Sequence, residues 1–279
     1  MGLRIQNNVE AFNTHRQLNA TSTAASKAME KLSSGYRINR AADDAAGLAI
    51  SEKMRGQIGG LAQAQRNAQD AISLVQTAEG ALTEVHSMLQ RIRDLGVQYR
   101  NGTISAQDKI AIEAEVAQLA TEIDEIATKT EFNGTALFGP AASFTFQVGA
   151  NDGETVTTTA FTPSATLASG GLSEIVAASG GASALMGSGT LLATVDKAIE
   201  NVSTARSNFG AVQNRLEHRL NNLATYQENL TAAESRIRDV DMAAEMTNFT
   251  KLNILQQAGT SMLAQANQAP QTVLSLLKG

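Results

Sequence analysis

The sequence predicts a mainly α, rod-like fold: long antiparallel helices packed as coiled coils, with a small β-hairpin region in the middle of the chain. Three observations carry that expectation. The only prolines are Pro140, Pro163 and Pro270, so residues 1–139 and 164–269 are free of the strongest helix breaker. Heptads run through both stretches. Of the 43% hydrophobic residues much is alanine, while aromatics are 4% and Trp is absent, which favours long helices over a thick aromatic core.

From the N-terminus, residues 1–34 place sparse anchors (Ile5, Val9, Phe12, Leu18, Met29, Leu32) among Asn, Gln, Thr and Ala. This is a weak amphipathic helix that cannot bury enough area to hold itself together alone in water. Asp43 or Asp44 then precedes "AAGLAISEKM", where a carboxylate caps a helix start and complements its dipole. A heptad follows, with Leu61, Ala68, Val75, Leu82 and Leu89 in one register and Ala64, Ala71, Ala78, Val85, Ile92 and Tyr99 in the other. Asn101-Gly102 signals a turn that folds the next helix back antiparallel. That helix starts at Ser105, with Asp108 reaching back, and its apolar positions are Ile112, Val116, Leu119, Ile123 and Ile126.

"TEFNGTALF" (130–138) is a second Asn-Gly turn with short strands on its flanks. Phe144, Phe146 and Val148 alternate with Thr145 and Gln147 before an Asp-Gly turn and "TVTTTAF", which reads as a hairpin around 143–161. A flexible Gly/Ser-rich segment covers about 162–190. The last long helix carries Val195, Val202, Phe209, Leu216, Leu223, Leu230 and Ile237 seven residues apart. Its second register is Ala198, Ala205, Val212, Arg219, Tyr226, Ala233 and Val240, where only Arg219 is out of character and Leu220 stands beside it. A helix over 195–240 would be roughly 69 Å long, against about 50 Å for the diameter of a compact globule of this chain length, so the expected molecule is a rod.

The tail is unusual in another way. Residues 252–277 contain no Asp, Glu, Lys, Arg or His, yet Leu252, Ile254, Leu255, Met262, Leu263, Val273, Leu274, Leu276 and Leu277 call for burial. Gln, Asn, Ser and Thr interrupt the apolar run too often for a membrane span. Two weak terminal helices can pair, but a two-helix pair leaves an apolar face exposed, and such a face implies a partner.

Composition excludes several function classes. A net charge of −5 and pI of about 5.3 argue against nucleic-acid binding. The absence of cysteine removes disulfides, thiolate metal sites and Cys nucleophiles together. The start "MGLRIQNNVEAFNTHRQLNATST" carries no Sec-type signal and no myristoylation pattern. His15, His86 and His218 lie in separate helical segments without a metal-ligating neighbour. Asp239 and Asp241 sit among Arg236 and Arg238 and read as surface ion pairs. The run "SGGLSEIVAASGGASALMGSG" holds no phosphate-binding glycine motif. No catalytic residue, cofactor or metal site is expected.

The same segments form a recognisable set. "LSSGYRINRAADDAAGLAISEKMRGQIGGLAQAQRNAQDAISLVQTAEGAL" (32–82), "LQRIRDLGVQ" (89–98), "EFNGTALF" (131–138) and "ILQQAGTSMLAQANQAPQTVLSLL" (254–277) resemble bacterial flagellin across most of 1–139 and 195–279. The resemblance implies a secreted structural subunit of the extracellular flagellar filament, exported unfolded through a type III-like channel without a cleaved signal. It implies a terminal coiled-coil layer, residues 1–42 plus 240–279, lining the filament core, and a rod-like layer with a β element over 43–239. Only 56 residues separate Phe138 from Val195, which leaves no room for large outer domains.

In this reading the polymerisation tails carry Ile5, Phe12, Leu255, Met262, Leu263, Leu274 and Leu277, and order only against neighbouring subunits. The helix seam is Leu82, Leu89, Phe209, Leu216, Leu223, Leu230 and Ile237. The family further implies recognition by Toll-like receptor 5 through Arg91, Leu95 and Glu115; here Asp94 replaces the usual Glu and Gly96 a common Ala, and the same residues serve equally as an inter-subunit contact. Implied partners are further copies of the chain, an export chaperone at the C-terminus, and hook-associated and cap proteins. No nucleic acid, membrane or cofactor is implied. Two alternatives stand beside this: a hook–filament junction protein with similar termini, and a coiled-coil adaptor or adhesin.

Overall fold

A computed structural model describes residues 8–138, 143–158 and 190–278, with side chains to residue 268. Its elements in order are α1 (Val9–Ser34), α2 (Ala45–Tyr99), α3 (Ala106–Lys129), β1 (Glu131–Phe132), β2 (Thr135–Ala136), β3 (Thr145–Gln147), β4 (Thr155–Thr157), α4 (Leu191–Arg238) and α5 (Met242–Lys278). The segment expected to be flexible, about 162–190, lies outside the described residues except for Thr190, as does Ile5. Leu274 and Leu277 fall within α5, but their side chains lie outside the description.

The chain packs as two compact units, one of residues 1–57 with 228–279 and one of 58–227. In the second unit the helices meet along the heptad positions. Leu61, Ala64, Ala68, Ala71, Val75, Ala78, Leu82, Val85, Leu89 and Ile92 of α2 are all buried. Facing them, α4 buries Val195, Ala198, Val202, Ala205, Phe209, Val212, Leu216 and Leu223. A helix with both registers sealed in this way is held by packing far more than by its intrinsic propensity. Residues 58–99 of α2 alone span about 63 Å, whereas a 170-residue globule would be about 40 Å across, so this unit is elongated.

Two local details differ from the periodic expectation. In α4 the second register lapses at Arg219 and Tyr226, both exposed, and Leu220 packs against the core in their place. In α3 the buried row is Ile112, Val116, Ala120, Ile123 and Ala127, while Leu119 and Ile126 are only partly buried. A row of alternating large and small residues fills the seam with two alanines, and the flanking Leu and Ile cover its sides. The start of α3 matches its sequence signal: Ser105 Oγ accepts from Asp108 N at 3.2 Å and Asp108 Oδ2 accepts from Ser105 N at 3.4 Å.

The two hairpins follow their turns. Asn133 and Gly134 both adopt positive φ (52° and 74°), the conformation of a two-residue turn whose twist matches the strands it joins, pairing Phe132 with Thr135. In the second hairpin Phe146 pairs with Val156, and the stacked rings of Phe144 and Phe146 lie against the core. Asn67 Nδ2 of α2 donates to Gln147 O at 3.0 Å, which fixes the hairpin on the helix.

The first unit is built differently. Its buried apolar side chains among the described residues are Ala25, Ala28 and Ile38. α1 and α5 run as a pair with closely spaced backbones. The segment after α1 is tied to the α4–α5 joint: Arg37 N donates to Arg238 O at 2.6 Å, and Val240 N donates to Gly35 O at 3.0 Å.

Candidate functional site

Asn8 caps α1, its Oδ1 accepting from Ala11 N at 3.0 Å. Along α1 the buried or half-buried residues Ala11, Thr14, Thr21, Ser22, Ala25 and Ala28 are small, with Leu18 the large one among them. On α5 the matching row is Leu252, Gln256, Gly259, Leu263 and Ala266, at steps of four and three. At Gly259 an added Cβ would meet Leu18 Cδ1 at 3.2 Å, so the absent side chain is what lets the two backbones close.

Leu18, Phe249, Leu252 and Leu263 are half-buried, but other large apolar side chains of this pair face away from it. Phe12 is 71% exposed, Val9 64%, Ile254 61%, Met262 56% and Leu255 46%. Of the residues expected to drive polymerisation, only Leu263 is half-buried in the pair; Phe12, Leu255 and Met262 form the uncovered face.

Pro270 does not end α5. Its missing N–H leaves the carbonyl of Ala266 without an intrahelical donor. Asn8 Nδ2 donates to that carbonyl at 2.7 Å, so one asparagine caps α1 and repairs α5. Sequence reading missed this; the pairing of an N-cap asparagine with a mid-helix proline 262 residues later was its only signal.

The joint after α1 has its own electrostatics. Arg238 stacks on the Tyr36 ring at 4.9 Å and its Nη1 donates to Glu52 Oε1 at 2.5 Å. That hydrogen bond, ahead of the arginine's charge, lowers the Glu52 carboxyl below its ordinary value. Asp43 is also lowered, chiefly by the backbone N–H of Arg40, while Asp44 is the true helix cap, accepting from Gly47 N at 2.8 Å. Asp239 and Asp241 are not the ion-pair partners expected from sequence. Asp241 Oδ1 caps α5 by accepting from Ala243 N and Ala244 N, and Asp239 accepts from Ser235 Oγ at 2.6 Å. A cap satisfies orphan helix donors at short range, which an exposed arginine cannot match.

On α2 and α3, Arg91 Nη2 pairs with Glu115 Oε1 at 2.7 Å on the surface. Leu95 is 2% exposed and belongs to the core beneath them. Nearby, Tyr99 Oη donates to Glu113 at 2.7 Å, a contact that raises its phenol, and Lys109 lies over its ring. The seam residues Leu82, Leu89, Phe209, Leu216 and Leu223 are buried, whereas Leu230 and Ile237 are half-buried. His15 and His218 are exposed and His86 is half-buried beside Gln90. Among the described residues no three His, Cys, Asp or Glu converge as a metal site, and no helix is long and apolar enough to cross a membrane.

Residues 5–142 match the bacterial flagellin N-terminal helical region and residues 192–277 the bacterial flagellin C-terminal helical region. The chain is 50% identical to the flagellin of Bacillus subtilis (strain 168), with 99% of this chain and 100% of that protein covered. It is 52% identical to the flagellin of Halalkalibacterium halodurans, over 98% of this chain and 99% of that one. In structure it is similar to a putative flagellar hook-associated protein from Vibrio parahaemolyticus, with a TM-score of 0.58 at 17% identity, covering 71% of this chain and 100% of that one. At that identity the likeness concerns the fold alone.

Proposed function

The chain belongs to the bacterial flagellin family, and from that membership we propose that its filament grows through the uncovered face of the α1–α5 pair, which becomes ordered and buried only between subunits. Flagellins are structural subunits of the flagellar filament, and full-length identity of about half to two of them favours that role over a hook–filament junction. One observation carries the assembly reading. In the terminal pair only Ala25 and Ala28 are buried among the described apolar residues and Leu18, Leu252 and Leu263 are half-buried, while Phe12, Val9, Ile254, Leu255 and Met262 face outward. Such an arrangement has little to hold it in an isolated chain and much to gain from stacking.

In this reading residues 1–42 and 240–279 form the layer lining the filament core and 43–239 the layer around it. The uncharged stretch 252–277 lets identical tails stack side by side without like-charge repulsion. A contact between unlike surfaces of identical chains propagates as a helical polymer instead of closing. Export to the cell exterior, an export chaperone at the C-terminal tail, and contacts with hook-associated and cap proteins belong to the same reading, and no catalysis does.

The Arg91–Glu115 pair supports a second role as an innate-receptor epitope for Toll-like receptor 5, with Leu95 shaping the surface from below. Arg91→Ala should then weaken receptor reporter signalling by monomer, and an unchanged response removes that role.

The filament reading is tested by adding short seeds to purified monomer and imaging by negative-stain electron microscopy. Long uniform filaments are expected; persistent monomers or closed oligomers overturn it. A chain lacking 250–279 should stay a soluble helical monomer, and filaments from it would refute the role given to the tail.

A further inference from the structure

We propose that the cationic face of α4 around Arg215 and Arg219 docks the acidic outer face of α3, around Glu122 and Glu125, on a second copy of this chain. The inference rests on the filament reading and assigns it a specific electrostatic contact outside the terminal pair.

Arg215, His218, Arg219 and Asn222 line one side of an open groove of about 500 Å³, and Thr155 and Val156 of β4 line the other. Offsets of three, four and seven residues from Arg215 place the four on one face of α4. All four are exposed. What singles the site out is the state of its guanidinium groups. Every other described arginine has a partner, and those whose partner is identified use a carboxylate, a side-chain amide or a backbone carbonyl. Among the described residues Arg215 and Arg219 alone have none. The acid next to them in sequence, Glu217, is held by Gln213 Nε2 at 3.0 Å.

Two guanidinium forks one turn apart suit a pair of carboxylates at similar spacing. The chain supplies such a pair. Its net charge is −5, and α3 carries six carboxylates against two lysines. Glu122 and Glu125 are exposed and stand three residues apart; Glu125 also holds Lys129 at 2.6 Å. The two patches lie on different elements of the 58–227 unit, so they pair between copies as a heterologous contact, which repeats along a polymer. The groove is open and its α4 wall is lined by exposed side chains, which suits carboxylates presented by a surface helix better than a free ion needing enclosure.

The critical concentration for assembly, read by sedimentation of filaments, tests this in four proteins at low and physiological ionic strength. Arg215→Glu with Arg219→Glu should raise it about tenfold or more at low salt, and Glu122→Lys with Glu125→Lys should do the same. The protein carrying all four reversals should return to within about threefold of the wild type. A wild-type value in either pair variant overturns the proposal, as does a four-site protein no better than the worse pair. Melting followed by circular dichroism checks that each monomer is folded. If a reversal unfolds the chain, Arg215→Gln with Arg219→Gln replaces it, with a rise of about threefold that fades in high salt expected and no rise at low salt overturning the docking. Wild-type protein that never forms filaments would instead break the filament reading, a separate result.

Discussion

The seam between α2 and α4 in residues 58–227 and the seam between α1 and α5 have similar helical spacing and opposite contents. The first buries Leu61, Leu82, Leu89, Ile92, Leu216 and other large side chains, with α3 and the second hairpin closing it. The second buries two alanines of α1, half-buries Leu18, Phe249, Leu252 and Leu263, and leaves Phe12, Ile254 and Met262 exposed. Fully burying one large apolar side chain stabilises by about 1.5–3 kcal/mol, so the first seam draws far more stability from burial within the chain than the second. Periodicity therefore identifies a helix that packs, and side-chain size at the inward positions tells how much that packing contributes within the chain.

The largest effect that separates the two seams is a cavity. Leu82→Ala, at a fully buried position of α2, should destabilise the monomer by about 2–5 kcal/mol in urea unfolding. A loss below about 1 kcal/mol would mean that the 58–227 unit is as loosely held as the termini.

The next effect lies in the terminal pair. Asn8→Asp keeps an N-cap acceptor for α1 but removes the donor to Ala266 O, leaving the carbonyl opposite Pro270 unpaired. The cost should be about 1 kcal/mol per subunit, seen as a lower temperature of filament disassembly, with monomer melting unchanged. Equal filament stability in both proteins would show that this hydrogen bond contributes nothing to the assembled state.

A still smaller change in the monomer is expected at Ile254, whose side chain is 61% exposed. Ile254→Ala should alter monomer stability by less than about 0.5 kcal/mol yet raise the critical concentration for assembly several-fold. If monomer stability falls and assembly is untouched, the outward face has been assigned the wrong way round.

These contrasts also mark what the sequence could convey. The α2 heptads, the Ser105–Asp108 cap, the Asn133-Gly134 turn and the Phe146 hairpin were legible because each is set by residues within one or two turns of each other. The α3 row was read one position off at Leu119 and Ile126, because period alone does not say whether Leu or its neighbouring Ala lies at the centre of a seam. Arg219 broke the α4 register visibly, but its lack of any partner appears only with the full set of ion pairs in space. The contacts that join residues 35–40 to 237–240, the Asn8–Ala266 bond and the Glu52–Arg238 pair span most of the chain, and no local pattern announces them. The exposed apolar face of the terminal pair was legible as an imbalance, apolar residues without charges, though which of them face outward was not.

The smallest effect concerns a charge contact of the first unit, the Glu52–Arg238 pair. Glu52 is held below its ordinary carboxyl value by the Arg238 hydrogen bond, so its contribution is fully present above the unfolded-state value of about 4.3 and is lost as pH falls through the lower folded-state value. Amide exchange of residues 35–40 and 237–240 should accelerate on acidification in that window. Asp43 is lowered too, so the attribution needs Glu52→Gln, which cannot titrate but can still accept from Arg238. In that variant the acid-dependent part should shrink to what Asp43 supplies. An acid response of full size in Glu52→Gln would assign the joint's pH dependence to the 39–43 turn alone, leaving Arg238 held by its stacking on Tyr36 and not by the carboxylate.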